Sequence, residues 1–245
     1  MINELKKDFA FKGFKFRDIT KPQYRHVFLV LFWPFYTIVF FILEERAFKD
    51  FHTVHCALDD IIPFNEWFIL FYALWYPFWI FLLAYGLFFE TPVFKKTMRY
   101  FIVTFAISLT IYFLYPTGHH MWPDPMPRDN ILTWLTQRIY DADHPTNICP
   151  SDHVIGAFAV VFGAHSSKRL NKKIPMAIIL FIALGITASI CFVKQHSALD
   201  ILGAIPVITI GYFVCFHDWK KQKAENVDKY SEAGVEDKID KTDVA

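Results

Sequence analysis

Lys194-Gln195-His196-Ser197-Ala198-Leu199-Asp200 opens an apolar run that continues through Ile201-Leu202-Gly203-Ala204-Ile205-Pro206 to Phe216. About 20 apolar residues cross the hydrocarbon core of a bilayer as a helix, and Ser197–Phe216 has that length. Ionisable side chains at membrane depth are expensive and mark functional sites. His196 and Asp200 stand four residues apart, on one face of a helix, so the carboxylate can accept a hydrogen bond from the ring. That bond would fix the tautomer and leave the other ring nitrogen free as nucleophile or base. Pro150-Ser151-Asp152-His153 brings a second histidine to the head of another apolar run.

The composition agrees with a membrane class. The 245 residues are 54% hydrophobic and 19% aromatic, with 28 Phe, too many apolar side chains for a soluble domain of this size to hide. The pattern specifies an all-α polytopic protein, a bundle of six transmembrane helices near Val27–Leu43, Trp67–Phe89, Tyr100–Tyr115, His153–Ala164, Pro175–Val193 and Ser197–Phe216. The fourth is the shortest and needs extension toward Cys149 and Lys168 to span. The first run is too long for a signal-peptide core and lacks a small-residue cleavage site, so it reads as a retained span. Pro34, Pro77 and Pro206 fall inside spans and predict kinks.

Basic residues set the expected orientation. Lys6, Lys7, Lys12, Lys15, Arg17, Lys21 and Arg25 precede the first span; Lys95, Lys96 and Arg99 follow the second. Lys168, Arg169, Lys172 and Lys173 follow the fourth, and Lys220, Lys221 and Lys223 open the tail. Six spans place all of these on one side, the cytoplasmic one, with both termini. The opposite connections carry only Arg46, Lys49, Arg128, Arg138 and Lys194. This assignment, made without the histidines, puts His153, His196 and the 116–149 loop together on the extracytoplasmic face.

Three regions follow: residues 1–26, a cytoplasmic basic and aromatic arm suited to anionic lipid; residues 27–216, the membrane domain; and residues 217–245, a charged tail expected to be disordered. No basic domain points to nucleic acid. Cys56, Cys149, Cys191 and Cys215 lack metal spacing, although Cys56 and Cys149 share a side, leaving a disulfide or isolated thiols open. His52–Glu66 reads as a short amphipathic helix on the outer surface; His52 and His55, before Asp59-Asp60, could face a metal or simply solvent. His119 and His120 read as interfacial or supporting side chains. Trp122 and Trp134 read as aromatic-belt anchors.

Tyr115-Pro116-Thr117-Gly118-His119-His120-Met121-Trp122-Pro123, Cys149-Pro150-Ser151-Asp152-His153 and Ser189–Asp200 together resemble the three signature motifs of the type 2 phosphatidic acid phosphatase superfamily. The resemblance covers roughly residues 25–216. It is nearest to small bacterial members with a Tyr-Pro-x-Gly-His start, an Arg-Asp-Asn-Ile stretch (here Arg128–Ile131) and a Lys-Gln-His-Ser-x-x-Asp third motif. It implies a lipid phosphatase of a bacterial cell membrane, without metal or cofactor, working through a phosphohistidine. His196 would be the nucleophile, Asp200 its orienting partner and His153 the general acid. The substrate class would be a lipid phosphate monoester or pyrophosphate. A phosphotransferase using an acceptor alcohol, and a catalytically degenerate membrane binding protein, are the alternatives.

Two departures bear on this. The superfamily usually has arginine where this chain has Trp122, and again where it has Ile190. Lys194 and Arg128 are the substitutes expected at the phosphate, with Ser151 capping the fourth helix beside it. Asp152 would set a negative charge near the phosphate, offset by the helix dipole.

Overall fold

The computed structural model describes residues 9–218. Its helices are α1 (Phe32–Lys49), α2 (Ala57–Ile61), α3 (Ile69–Ala73), α4 (Trp75–Phe89), α5 (Thr91–Leu114), α6 (Ile131–Ala142), α7 (Asp152–His165), α8 (Lys173–Phe192) and α9 (Ala198–Cys215), with short 3₁₀ segments before α1 and α3. Two strands of two residues each, β1 (His52–Thr53) and β2 (Thr117–Gly118), pair in parallel.

Among the described residues, five helical stretches are long and apolar enough to cross a membrane: Arg25–Lys49, Glu66–Phe89, Thr91–Leu114, Lys173–Phe192 and Ala198–Cys215. The fourth expected span is instead α7, an apolar helix of 14 residues. That is about 21 Å at 1.5 Å per residue, short of the roughly 30 Å core. Its place explains its length and composition. It packs against α4, α5, α8 and α9, so protein surrounds it. Gly, Ala and Val line it because neighbours approach closely: a Cβ on Gly156 would lie 2.8 Å from Trp75 Nε1, and one on Gly163 2.5 Å from a Leu82 methyl.

The prolines act as their missing N–H groups require. Pro77 cannot bond the Ala73 carbonyl, and the second span is interrupted there, at Leu74, between α3 and α4. Pro34 cannot bond Val30, and the tighter 3₁₀ turns that precede α1 end at Leu31. At Pro206, α9 runs on without a break.

One end of the bundle carries the basic connections. Glu90, between α4 and α5, accepts hydrogen bonds from Tyr85 Oη, Ser167 Oγ and the Lys168 amide, tying this connection to the one after α7. The N-terminal arm joins the same end: Ala10 donates to the Phe88 carbonyl, and Phe9 and Phe11 pack on the Phe88 ring. The expected tail beyond Asp218 lies outside the described residues.

Candidate active site at the histidine end

At the other end three connections fold over the helix termini. Residues 50–66 and 116–120 are joined by β1 and β2, and Gly118 also bridges to Thr146. The glycine is required here, since a Cβ would stand 2.5 Å from the Phe51 ring and 2.7 Å from the Pro145 carbonyl. Thr117 Oγ1 accepts the Cys149 amide, which positions the entrance to α7. Tyr112 Oη donates to the Pro150 carbonyl at 2.6 Å, and Tyr140 Oη to the Val193 carbonyl at 2.5 Å.

These anchors bring His153 and His196 together. His196 Nδ1 lies 3.1 Å from Asp200 Oδ2 and 3.0 Å from the Ile148 carbonyl, while its Nε2 lies 3.2 Å from His153 Nδ1. Both neighbours of Nδ1 are acceptors, so Nδ1 carries the proton. In the neutral ring, Nε2 then keeps its lone pair and accepts from His153 Nδ1–H. Asp200 Oδ2 also accepts the Ser197 amide at 3.0 Å, closing a capping box at the start of α9. The spacing-based pairing of His196 with Asp200 is therefore present, and its carboxylate is fully buried. The His153 ring sits against Tyr72 and Trp75, with centroids at 4.7 and 4.5 Å. Tyr72 lies in the last turn of α3 and Trp75 begins α4, so the two rings reach the imidazole from either side of the break at Leu74.

His196 is 7% exposed, because the outer segments close over it. Asp59 of α2 accepts Ser197 Oγ at 2.5 Å and the Ala198 amide at 2.8 Å. Burial alone would raise the Asp59 pKa; these bonds and those from Cys56 outweigh it and hold the carboxyl below its ordinary value. His119 is fully buried, Nδ1 accepting the Met121 amide and Nε2–H donating to the Gln195 carbonyl. Burial, and then the nearby His196, push its pKa down to about 3, so it is a neutral strut between the 116–120 segment and Gln195. Burial, reinforced by Asp200, pushes the Cys149 thiol up to about 12, which removes it as a nucleophile. All four cysteines are free thiols.

Other expected site residues are placed differently. Lys194, held at φ 56°, turns its Nζ onto the Asp59 and Ile62 carbonyls at 2.6 and 2.5 Å. Arg128 pairs with the buried Glu66, which also accepts Asn130 Nδ2 at 3.0 Å. The two cations expected at the phosphate thus hold α2 and the start of α6 instead. Asp152 points away from the histidines: its Oδ2 accepts Tyr36 Oη of α1 at 2.6 Å. Ser151 occupies the N-cap position of α7 without a capping hydrogen bond, and its Oγ is buried. Trp122, expected as a belt anchor, packs on other rings of the protein. It stacks on Tyr140 at 4.3 Å, edge-on to His119. Ile190 is fully buried, and its carbonyl receives the Gln195 and His196 amides.

His52 lies in a strand, stacked on Tyr115, while His55 pairs with Asp60 at 2.9 Å. They do not share a helix face. Among the described residues no group of three or more metal-ligating side chains could hold an ion. A cavity of about 440 Å³ lies beside Lys194, among His55, Asp59, Pro63, His120 and Met121; neither His153 nor His196 lines it.

No protein-family model, curated protein or solved structure matches the chain.

Proposed function

We propose that this membrane protein transfers phosphorus between lipid and acceptor through a covalent bond to His196, with His153 as general acid and Asp200 as orienting partner. The observation that carries the reading is the protonation pattern of the pair. Two acceptors hold the proton on Nδ1, so the lone pair is on Nε2 and directed at the second histidine. Phosphate esters hydrolyse extremely slowly without help, and a covalent histidine with proton delivery to the leaving oxygen splits the barrier. The phosphate would enter between the rings, replacing the Nε2···Nδ1 contact, and its negative charge would favour a protonated His153. The motif resemblance to type 2 phosphatidic acid phosphatases supports the same assignment. Hydrolysis of a lipid phosphate is the first form of this activity.

Transfer to an acceptor alcohol is the second, and one observation favours it: His196 lies beneath residues 50–66 and 116–149, where bulk water has little access. The excess of basic residues at the opposite end supports an extracytoplasmic site and a cytoplasmic N-terminal arm. Purified protein in mixed micelles, supplied with a panel of lipid phosphates with and without short alcohols, tests the reading. His196-dependent product formation is expected; turnover that persists in His196→Ala sinks it.

A further inference from the structure

The segments that assemble the histidine pair carry buried polar groups without hydrogen-bond partners among the described residues. Both side-chain polar atoms of Asn147, Ser151 Oγ and Gln195 Nε2 are in this state. Asn147, Ser151 and Gln195 are 3%, 0% and 4% exposed. A buried donor left unsatisfied is costly, and native proteins keep few of them. Here they flank the reacting atoms along the chain. Asn147 precedes Ile148, whose carbonyl holds His196 Nδ1, and it is fixed at φ 53°, in the left-handed region. Gln195 precedes His196, and Ser151 stands two residues before His153, its amide on the Asp200 carbonyl.

Cations at this end are committed or remote. Lys194 is held by two carbonyls, Arg128 by Glu66, Arg46 by the Phe113 carbonyl and Arg138 by Asp141. Lys49 is exposed at the end of α1. Carboxylates, by contrast, stand at the site itself: Asp200 on His196 and Asp59 on Ser197. A phosphate monoester carries about −1.5 to −2 charges at pH 7, and a buried second charge needs a cation to offset its lost hydration. A diester carries one.

We infer that the site takes a phosphodiester lipid, its monoanionic phosphate held by the neutral donors of Asn147, Ser151 and Gln195, in preference to a dianionic monoester. This rests on the phosphohistidine reading and narrows its substrate. The His196 Nε2 lone pair forms the N–P bond while the P–O bond to one ester alcohol breaks. That oxygen keeps the bonding electrons and takes a proton from protonated His153. A hydroxyl acceptor, water or a second alcohol, then gives its proton to His153 and attacks phosphorus. The N–P bond breaks and Nε2 recovers its lone pair.

The test supplies the full-length protein with phosphatidylglycerol or phosphatidate of identical acyl chains, at pH 7, with water or added ethanol as acceptor. The diester should be consumed with at least tenfold higher kcat/KM. Asn147→Leu and Gln195→Leu, checked for unchanged melting temperature, should each lower diester turnover about tenfold and narrow the preference. Asn147→Ser, which keeps a hydroxyl donor, should lose less. Phosphatidate consumed equally well or better, and only with His196 present, overturns the diester inference while leaving the histidine mechanism standing. Consumption of neither lipid overturns both. A diester preference unchanged in both Leu variants removes the donor assignment and with it the inference.

Discussion

At the basic end of the bundle the connections are short, and Lys95, Arg99, Lys168, Lys172 and Lys173 stand out in solvent. At the histidine end long segments fold inward, and histidines, carboxylates and hydroxyls are buried and cross-linked between elements. Both ends are polar caps on the same apolar helices. Polarity is free at the first end and constrained at the second: an exposed lysine costs little and can vary, whereas a buried Asp59 or His119 exists only with its partners in place. Substitutions at the two ends should accordingly separate by orders of magnitude.

The largest effect is expected at the histidine pair. His196→Ala should abolish turnover, and His153→Asn should slow it by about 10²–10⁴-fold, the usual worth of a general acid. Asp200→Asn should leave a residual rate. Initial-rate measurements on the folded variants check this; a His153 variant within a few-fold of wild type would remove its assigned role.

Next come the two committed cations. Lys194→Met frees two carbonyls and should cost about 1.5–3 kcal/mol of stability, the range for hydrogen bonds to charged groups, and Arg128→Met, which strands the Glu66 carboxylate, should lower the melting temperature as well. Thermal melting in detergent reads this. A Lys194 variant of native stability with a large rise in KM would return that residue to the phosphate.

Trp122→Arg breaks the flat stack on Tyr140. About 0.5–1.5 kcal/mol should be lost beyond the buried area, contrary to the tolerance an interfacial tryptophan would have. An unchanged melting temperature would contradict the packed position.

His119 makes the comparison pH-dependent. Its folded pKa of about 3 lies below the ordinary 6.5, so the unfolded chain binds the extra proton between those values. Stability is then fully present above pH 6.5 and falls as the pH drops toward 3, by at most about 1.4 kcal/mol per pH unit. Between pH 7 and 5 the wild type should lose melting temperature relative to His119→Gln, which has no such proton to take up. Equal slopes in both proteins would contradict a neutral, buried His119. At the opposite end Lys172→Ala should change stability by no more than about 0.5 kcal/mol; a larger loss there would erase the contrast between the ends.

Five of the six expected spans, the grouping of basic residues at alternate connections and the local pairing of His196 with Asp200 were legible in the sequence. Each depends on hydropathy or on helical spacing, which neighbours in the chain set. The sequence also marked the fourth span as the weakest. That α7 is a 14-residue helix packed against four others came from the fold alone, since those neighbours lie in other stretches of the chain. Partners distant in sequence were decided there too. Lys194 and Arg128 are charges that look available in the chain, yet the Asp59 and Ile62 carbonyls and Glu66 take them. Trp122 looks like a belt residue until Tyr140 meets it, and Asp152 looks misplaced until Tyr36 does. A charge or ring shows its chemistry in the sequence, but which group satisfies it depends on what folding brings within about 3 Å, the reach of a hydrogen bond.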